Sequence, residues 1–253
     1  MGEGTTRQST GRRIVLLDYL RGVGILFVMW YHLMYDLSTF YGICNWIFST
    51  AMDVFRDCMV AMLVLISGIC CHFSRSNLRR GIICFLIAMG LTGVTYLMDS
   101  QCYIRFGVLH MFGISMLLYG IVSPYLMVKR PWVWAIGCLI GFLFTFLLSR
   151  GALGFYRLPL IPLPDGLYQT RFLFWLGLPD SAFVSADYYP LLPWTLLFFA
   201  GGFLGYNFQH LPKCDKMPQI KTLSFIGRNT LPLYLIHQPL YYAVFWLLSL
   251  LQK

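Results

Sequence analysis

Ile14–Leu37 reads IVLLDYLRGVGILFVMWYHLMYDL. A helix of this length crosses the hydrocarbon of a bilayer, which takes about 20 apolar residues. Four ionisable side chains, Asp18, Arg21, His32 and Asp36, interrupt the apolar run. A charge deep in a span costs about 2.5–3.5 kcal/mol on insertion scales, so each needs a partner or a task. Asp18 and Arg21 stand i,i+3 and are expected to neutralise each other. His32 and Asp36 stand i,i+4, a spacing at which a carboxylate can fix the tautomer of an imidazole. Arg21 and His32 are eleven residues apart, which returns the helix to within about 20° of the same direction after a rise of about 16 Å. One stripe therefore carries a fixed cation and, farther along, an imidazole.

The rest of the chain has the same solvent. Hydrophobic residues make up 58%, charged residues 11%, and the mean hydropathy is +0.67. A soluble domain carries about a quarter charged residues, so these numbers exclude a soluble enzyme, a disordered chain and a disulfide scaffold. Aromatic residues, at 17%, suit interfacial belts of Trp and Tyr. The net charge of +9 would suggest nucleic acid on a soluble protein. Here it reads as the positive-inside rule, with no nucleic-acid partner expected.

Apolar runs predict seven helices, at 14–37, 54–73, 81–98, 106–127, 131–149, 191–208 and 229–251. The first is read as an uncleaved span, because Asp18 and Arg21 lie inside it and no small-residue cleavage site follows. Arg7, Arg12 and Arg13, then Arg75, Arg79 and Arg80, then Lys129 and Arg130, then Lys213, Lys216 and Lys221 fall in alternate connections. Those connections are assigned to the cytoplasm, together with the N-terminus and its basic tail 1–13. The opposite connections hold Asp53, Asp57, Asp99, Asp165, Asp180 and Asp187. The connection 150–190 is too long for a simple link and is read as an extracytoplasmic loop. Should part of it span, the count becomes eight. The expectation is thus one all-α polytopic domain over 1–253, in the plasma membrane. Gly137 and Gly141, and Gly201, Gly202 and Gly205, suit close helix packing. Such glycine faces also allow a homodimer.

Further polar groups extend the candidate site. His110 is expected at the depth of His32, and the two are expected to meet in one cavity. Asp187 precedes the sixth span, where it caps a helix or faces the outer mouth. Asn229 or Thr230 is expected to cap the last span, whose positive end, with Arg228, makes an anion site. His237 and Gln238 are polar at mid-membrane depth, while His72 and His210 read as interfacial. No cysteine–histidine spacing suits a metal, and no P-loop or GxSxG occurs. Cys44, Cys58 and Cys102 face the outside and could pair.

The run Leu17-Asp18-Tyr19-Leu20-Arg21-Gly22 with an Arg-x10-His spacing to His32 resembles the acyltransferase-3 group. The segments Tyr31–Leu37, Ile66–Ile69, Phe106–His110, Asp187–Trp194, Ile226–Thr230 and Tyr234–Pro239 resemble the heparan-α-glucosaminide N-acetyltransferase catalytic-domain family in its short bacterial form. The resemblance implies an enzyme that takes acetyl-CoA, or another acyl-CoA, from the cytoplasm. It would acylate an amine or hydroxyl of a sugar or envelope glycan at the other membrane face. On that reading Arg21, Arg75, Arg79, Arg80, Arg228, Asn229 and His237 hold the acyl-CoA. His32, oriented by Asp36, is the general base, and His110 and Asp187 complete the catalytic group. Two other classes use the same residues: a proton-coupled transporter or flippase, and a non-catalytic membrane partner protein.

Overall fold

The computed structural model describes residues 14–98, 102–125, 129–208 and 220–251. The basic tail 1–13, Asp99, His210, Lys213 and Lys216 lie outside the described residues. Among the described residues eight α-helices form: α1 Val15–Tyr41, α2 Thr50–His72, α3 Asn77–Met98, α4 Val108–Val122, α5 Pro131–Phe144, α6 Leu191–Phe208, α7 Lys221–Arg228 and α8 Thr230–Leu251. Six are long and apolar enough to cross a membrane: α1, α2, α3, α4 with its extension to Tyr125, α5 with its extension to Arg150, and α8. The seventh expected span forms as α6 but is not among the six. Its backbone leaves helical geometry at Leu192 (φ −97°, ψ 126°). Leu192 precedes Pro193, and a residue before proline is driven to extended backbone.

The helices belong to two compact units, one of residues 1–60 with 212–253 and one of residues 61–211. In the first unit α1 packs on α7 and α8. Contacts climb both long helices together: Arg21 meets Thr230, His32 meets His237, Asp36 meets Gln238 and Phe40 meets Tyr242. The two helices therefore run parallel. Gly227 of α7 lies so close to the Asp18 carbonyl that a Cβ would collide with it, and Gly22 abuts the Leu223 carbonyl in the same way. A left-handed Gly42 (φ 67°) ends α1, its N–H returning to Ser38 O at 3.0 Å. Ser38 Oγ then donates to Asn45 Oδ1 at 2.6 Å, turning the chain toward α2.

In the second unit α3 packs on α4, and α5 and α4 pack on α6. Small residues set these approaches. Gly68 lies against the Phe198 carbonyl, Gly201 against the Leu65 carbonyl, and Gly81 against the Gly113 carbonyl. Gly202 and Gly205 make room for Tyr119 and His72, while Gly141 meets Leu196. Gly137, expected to pack like Gly141, has no neighbour that a Cβ would meet. Ser115 and Thr195 join α4 to α6 through their hydroxyls at 2.9 Å.

The long connection 150–190 carries no spanning helix, so it adds no eighth span. It forms an antiparallel hairpin, β1 Ala152–Phe155 with β2 Leu158–Pro162, and short 3-10 turns at Asp165–Tyr168 and Phe174–Leu176. This hairpin is the departure from an all-α chain. The end of the connection zips onto 103–108: Ala186 N donates to Tyr103 O at 2.9 Å, and Tyr189 N to Phe106 O at 3.3 Å. Tyr188 donates its hydroxyl to Phe174 O at 2.6 Å, and burial holds that phenol above its ordinary pKa, so it stays a donor. Cys44 and Cys58 are free thiols.

Candidate active site

The parallel pairing of α1 and α8 brings two histidines together. His32 Nδ1 lies 2.7 Å from His237 Nε2, with the rings 5.0 Å apart between centroids. His237 Nδ1 faces the Tyr234 carbonyl at 2.5 Å. A carbonyl only accepts, so His237 carries its proton on Nδ1 and presents a lone pair at Nε2. His32 must then donate from Nδ1, which leaves the lone pair of His32 on Nε2. Nε2 has no hydrogen-bond partner among the described residues. His237 is buried, at 2% exposure, whereas His32 is only half-buried. The tautomer of the neutral His32 ring is thus fixed by a buried second ring.

This corrects the expected pairing of His32 with Asp36. Asp36, 3% exposed, instead accepts from Gln238 Nε2, at 3.2 and 3.0 Å to its two oxygens. The i,i+4 spacing puts His32 and Asp36 on one face, but that face meets α8, which supplies a partner to each. His237, expected on the acyl-CoA path, is thus the residue that orients His32.

The expected pair of Asp18 and Arg21 is likewise replaced. Asp18 pairs with Arg228 at 3.5 Å, and Arg21 donates to Thr230 Oγ1 at 3.3 Å. The close approach at Gly227 carries Arg228 to Asp18. Asn229 does not lend its side chain to the start of α8. Its Nδ2 turns back to Phe225 O at 2.8 Å and closes α7. The expected inner loop between the last two spans therefore ends in a short helix, and Arg21, Arg228 and Thr230 gather where α7 gives way to α8. Arg75, Arg79 and Arg80 are exposed around the start of α3, in the second unit.

His110 and Asp187 meet around the start of α4, within the second unit. Gly107 N donates to His110 Nδ1 at 3.1 Å, so the His110 proton sits on Nε2 and is given to Thr92 Oγ1 at 3.2 Å. The Thr92 hydroxyl in turn donates to Ile104 O at 2.7 Å. Asp187 Oδ2 accepts from Val108 N at 2.9 Å. Asp187 therefore caps α4, not the helix that follows it in sequence. Both nitrogens of His110 are committed and the ring is 2% exposed, which leaves no N–H for an oxyanion. His32 and His110 belong to different units, and each finds its hydrogen-bond partners within its own.

One cluster has no counterpart in the sequence reading. Arg56 donates to Asp53 at 2.9 Å, to Asp57 at 3.0 Å and to the Tyr31 hydroxyl at 3.2 Å. Tyr31 precedes His32 in α1. The i,i+3 spacing of Asp53 and Arg56 was the available signal. Among the described residues no group of three or more His, Cys, Asp or Glu is placed to hold a metal.

No curated protein and no solved structure matches the chain. The family described as Heparan-alpha-glucosaminide N-acetyltransferase, catalytic, matches residues 13–239, a stretch that contains both histidines of the pair. The chain therefore belongs to the heparan-α-glucosaminide N-acetyltransferase catalytic family, whose members are membrane acetyltransferases.

Proposed function

We propose that this chain transfers an acetyl group from cytoplasmic acetyl-CoA to an amine or hydroxyl of a sugar or envelope glycan at the other membrane face, with His32 as general base. The observation that carries this reading is the 2.7 Å contact between His32 Nδ1 and His237 Nε2, with His237 anchored on Tyr234 O. It supports a lone pair on His32 Nε2 before substrate arrives. His32 Nε2 takes the proton of the acceptor as the acceptor's oxygen or nitrogen attacks the thioester carbonyl. The tetrahedral intermediate collapses with cleavage of the C–S bond. The Nε2 proton then passes to the leaving thiolate, giving CoA thiol and acetylated acceptor. While His32 holds both protons, its charge is shared through Nδ1 with His237, which is already polarised by a carbonyl. A positioned base of this kind contributes about 10²–10⁴-fold.

Arg21 and Arg228, gathered where α7 gives way to α8, are the cations we assign to the phosphates of the donor. Asp36 acts through Gln238, tying α1 to α8 one turn beyond the histidines. The test is acetyl transfer from labelled acetyl-CoA by the purified chain, against a panel of amino sugars and hydroxyl-bearing glycans. Transfer that His32→Ala abolishes while acetyl-CoA binding survives would support the reading. Transfer undiminished in His32→Ala would overturn it.

A further inference from the structure

Transfer at His32 still needs a donor for the oxygen on which charge develops when the thioester carbonyl is attacked. His110 cannot supply it, since both of its nitrogens are committed. Around His32 most polar hydrogens of the first unit are committed too. His237 gives its Nδ1 proton to Tyr234 O, Gln238 gives its amide to Asp36, and Tyr241 gives its hydroxyl to Met29 O at 3.1 Å. The main-chain N–H groups inside α1 and α8 are held by the helices themselves. The hydroxyl of Tyr31 is different. Its oxygen accepts from Arg56 Nη1 at 3.2 Å, and its own proton has no acceptor among the described residues. Arg56 is in turn fixed by two carboxylates. Nη1 donates to Asp53 at 2.9 Å, and Nε and Nη2 donate to Asp57 at 3.2 and 3.0 Å. A guanidinium held in this way sets the position of the phenol oxygen and polarises its O–H bond. The Tyr31 ring lies 6.3 Å from the His32 ring between centroids, and both side chains are half-buried. His32 meets α8 through Nδ1, which leaves Nε2 on the far edge of its ring.

We propose, on the basis of the acyl transfer at His32, that the Tyr31 hydroxyl is its oxyanion donor and that Arg56 is the positioning residue for that hydroxyl. His32 Nε2 removes the proton of the acceptor, and the acceptor's lone pair forms the new bond to the thioester carbon. The π pair of the C=O bond moves onto oxygen. Tyr31 donates its O–H to that oxygen and keeps the proton. Collapse re-forms the C=O bond and breaks the C–S bond, and the thiolate takes the proton from His32 Nε2. Tyr31 thus touches the reacting oxygen, while Arg56 acts through Tyr31 and never meets the substrate.

The test compares acetyl-CoA with acetyldithio-CoA, in which sulfur replaces the carbonyl oxygen and accepts a hydrogen bond poorly. The full chain in detergent is used, with an acceptor of the panel that takes acetyl. Tyr31→Phe keeps the ring and removes the hydroxyl. It should lower kcat with acetyl-CoA by about 10²–10³-fold per folded molecule, with the KM for acetyl-CoA little changed. With the dithioester it should lose less than about tenfold, so the preference of the chain for oxygen over sulfur should shrink by at least about tenfold. Arg56→Lys, which keeps a charge but not the planar fork, should shrink that preference partway. Tyr35→Phe, the same deletion on a tyrosine 44% exposed one turn along α1, should leave it unchanged. An equal loss with both thioesters, or a native rate in Tyr31→Phe, would overturn the assignment. If His32→Ala abolishes transfer in that case, the general base stands without Tyr31. No acetyl transfer by the native chain to any acceptor of the panel overturns both together.

Discussion

His32 donates from Nδ1 to Nε2 of His237 across 2.7 Å, and residues 205 positions apart in sequence thereby decide one tautomer. The direction of that bond follows from the Tyr234 carbonyl beneath His237, which can only accept. The tautomer of His32 is therefore set by a backbone oxygen two hydrogen bonds removed from it.

That chain of donors predicts an order among variants of His237. His237→Gln keeps an amide oxygen to accept from His32 Nδ1, and should retain more activity than His237→Leu, which offers nothing. His32→Ala should lower kcat by about 10²–10⁴-fold. His237→Leu should fall between the native chain and His32→Ala, with the KM for acetyl-CoA little changed in all three. Steady-state kinetics at fixed acceptor concentration measures this. Equal losses in His237→Gln and His237→Leu would mean that the second ring only packs.

Asp36 and Gln238 form a buried carboxylate–amide pair one turn away, and removing either partner alone should hurt more than removing both. Gln238→Leu strands a buried carboxylate and should cost about 1.5–3 kcal/mol. Asp36→Leu combined with Gln238→Leu should recover much of that loss, since a buried polar pair replaced by apolar groups is often near neutral. Thermal unfolding of the four chains in one detergent closes the cycle. Additive losses would show that the two side chains do not act as a pair.

The spans were legible because each is a run of apolar residues bounded by charges, and lipid leaves a backbone no alternative to helix. The helix α7 was not. Lys221–Arg228 is half polar and ends one residue before α8 begins, so its sequence reads as part of a loop. The polar residues of α1 were identified as a group, yet each partner came from elsewhere. Spacing of three or four says which side chains share a face, but not which helix that face meets. Asp18 found Arg228 because Gly227 admits α7 to the backbone of α1. His110 and Asp187 were placed near one another in function, and they do meet, but as the caps of one helix start.

Asp18 and Arg228 are 3.5 Å apart, but the Arg228 side chain is 52% exposed, so the pair adds little stability. Asp18→Asn should shift unfolding by less than about 1 kcal/mol. Its effect should appear in binding. Freed from its carboxylate, Arg228 should attract phosphate more strongly, lowering the KM for acetyl-CoA, while Arg228→Ala should raise it several-fold with kcat unchanged. Opposite movements of KM in the two variants are the expected outcome. A KM that stays fixed in both would remove Arg228 from the donor site.

His110 separates a structural role from a chemical one. His110→Ala leaves the Gly107 N–H without its acceptor and takes from Thr92 Oγ1 the donor at His110 Nε2, both at a buried helix start. Loss of a cap costs about 1 kcal/mol, and a stranded buried donor about 1–3 kcal/mol. The midpoint of thermal unfolding should fall accordingly, and Asp187→Ala should fall by a similar amount through the Val108 N–H. Well below those midpoints, each variant should turn over at close to the native rate per folded molecule. His32→Ala also strands a buried partner, His237 Nε2, so its midpoint should fall as well, but unlike His110→Ala it should lose its rate per folded molecule. A His110→Ala chain that unfolds at the native temperature yet fails to transfer acetyl would return His110 to the reaction, and the start of α4 with it.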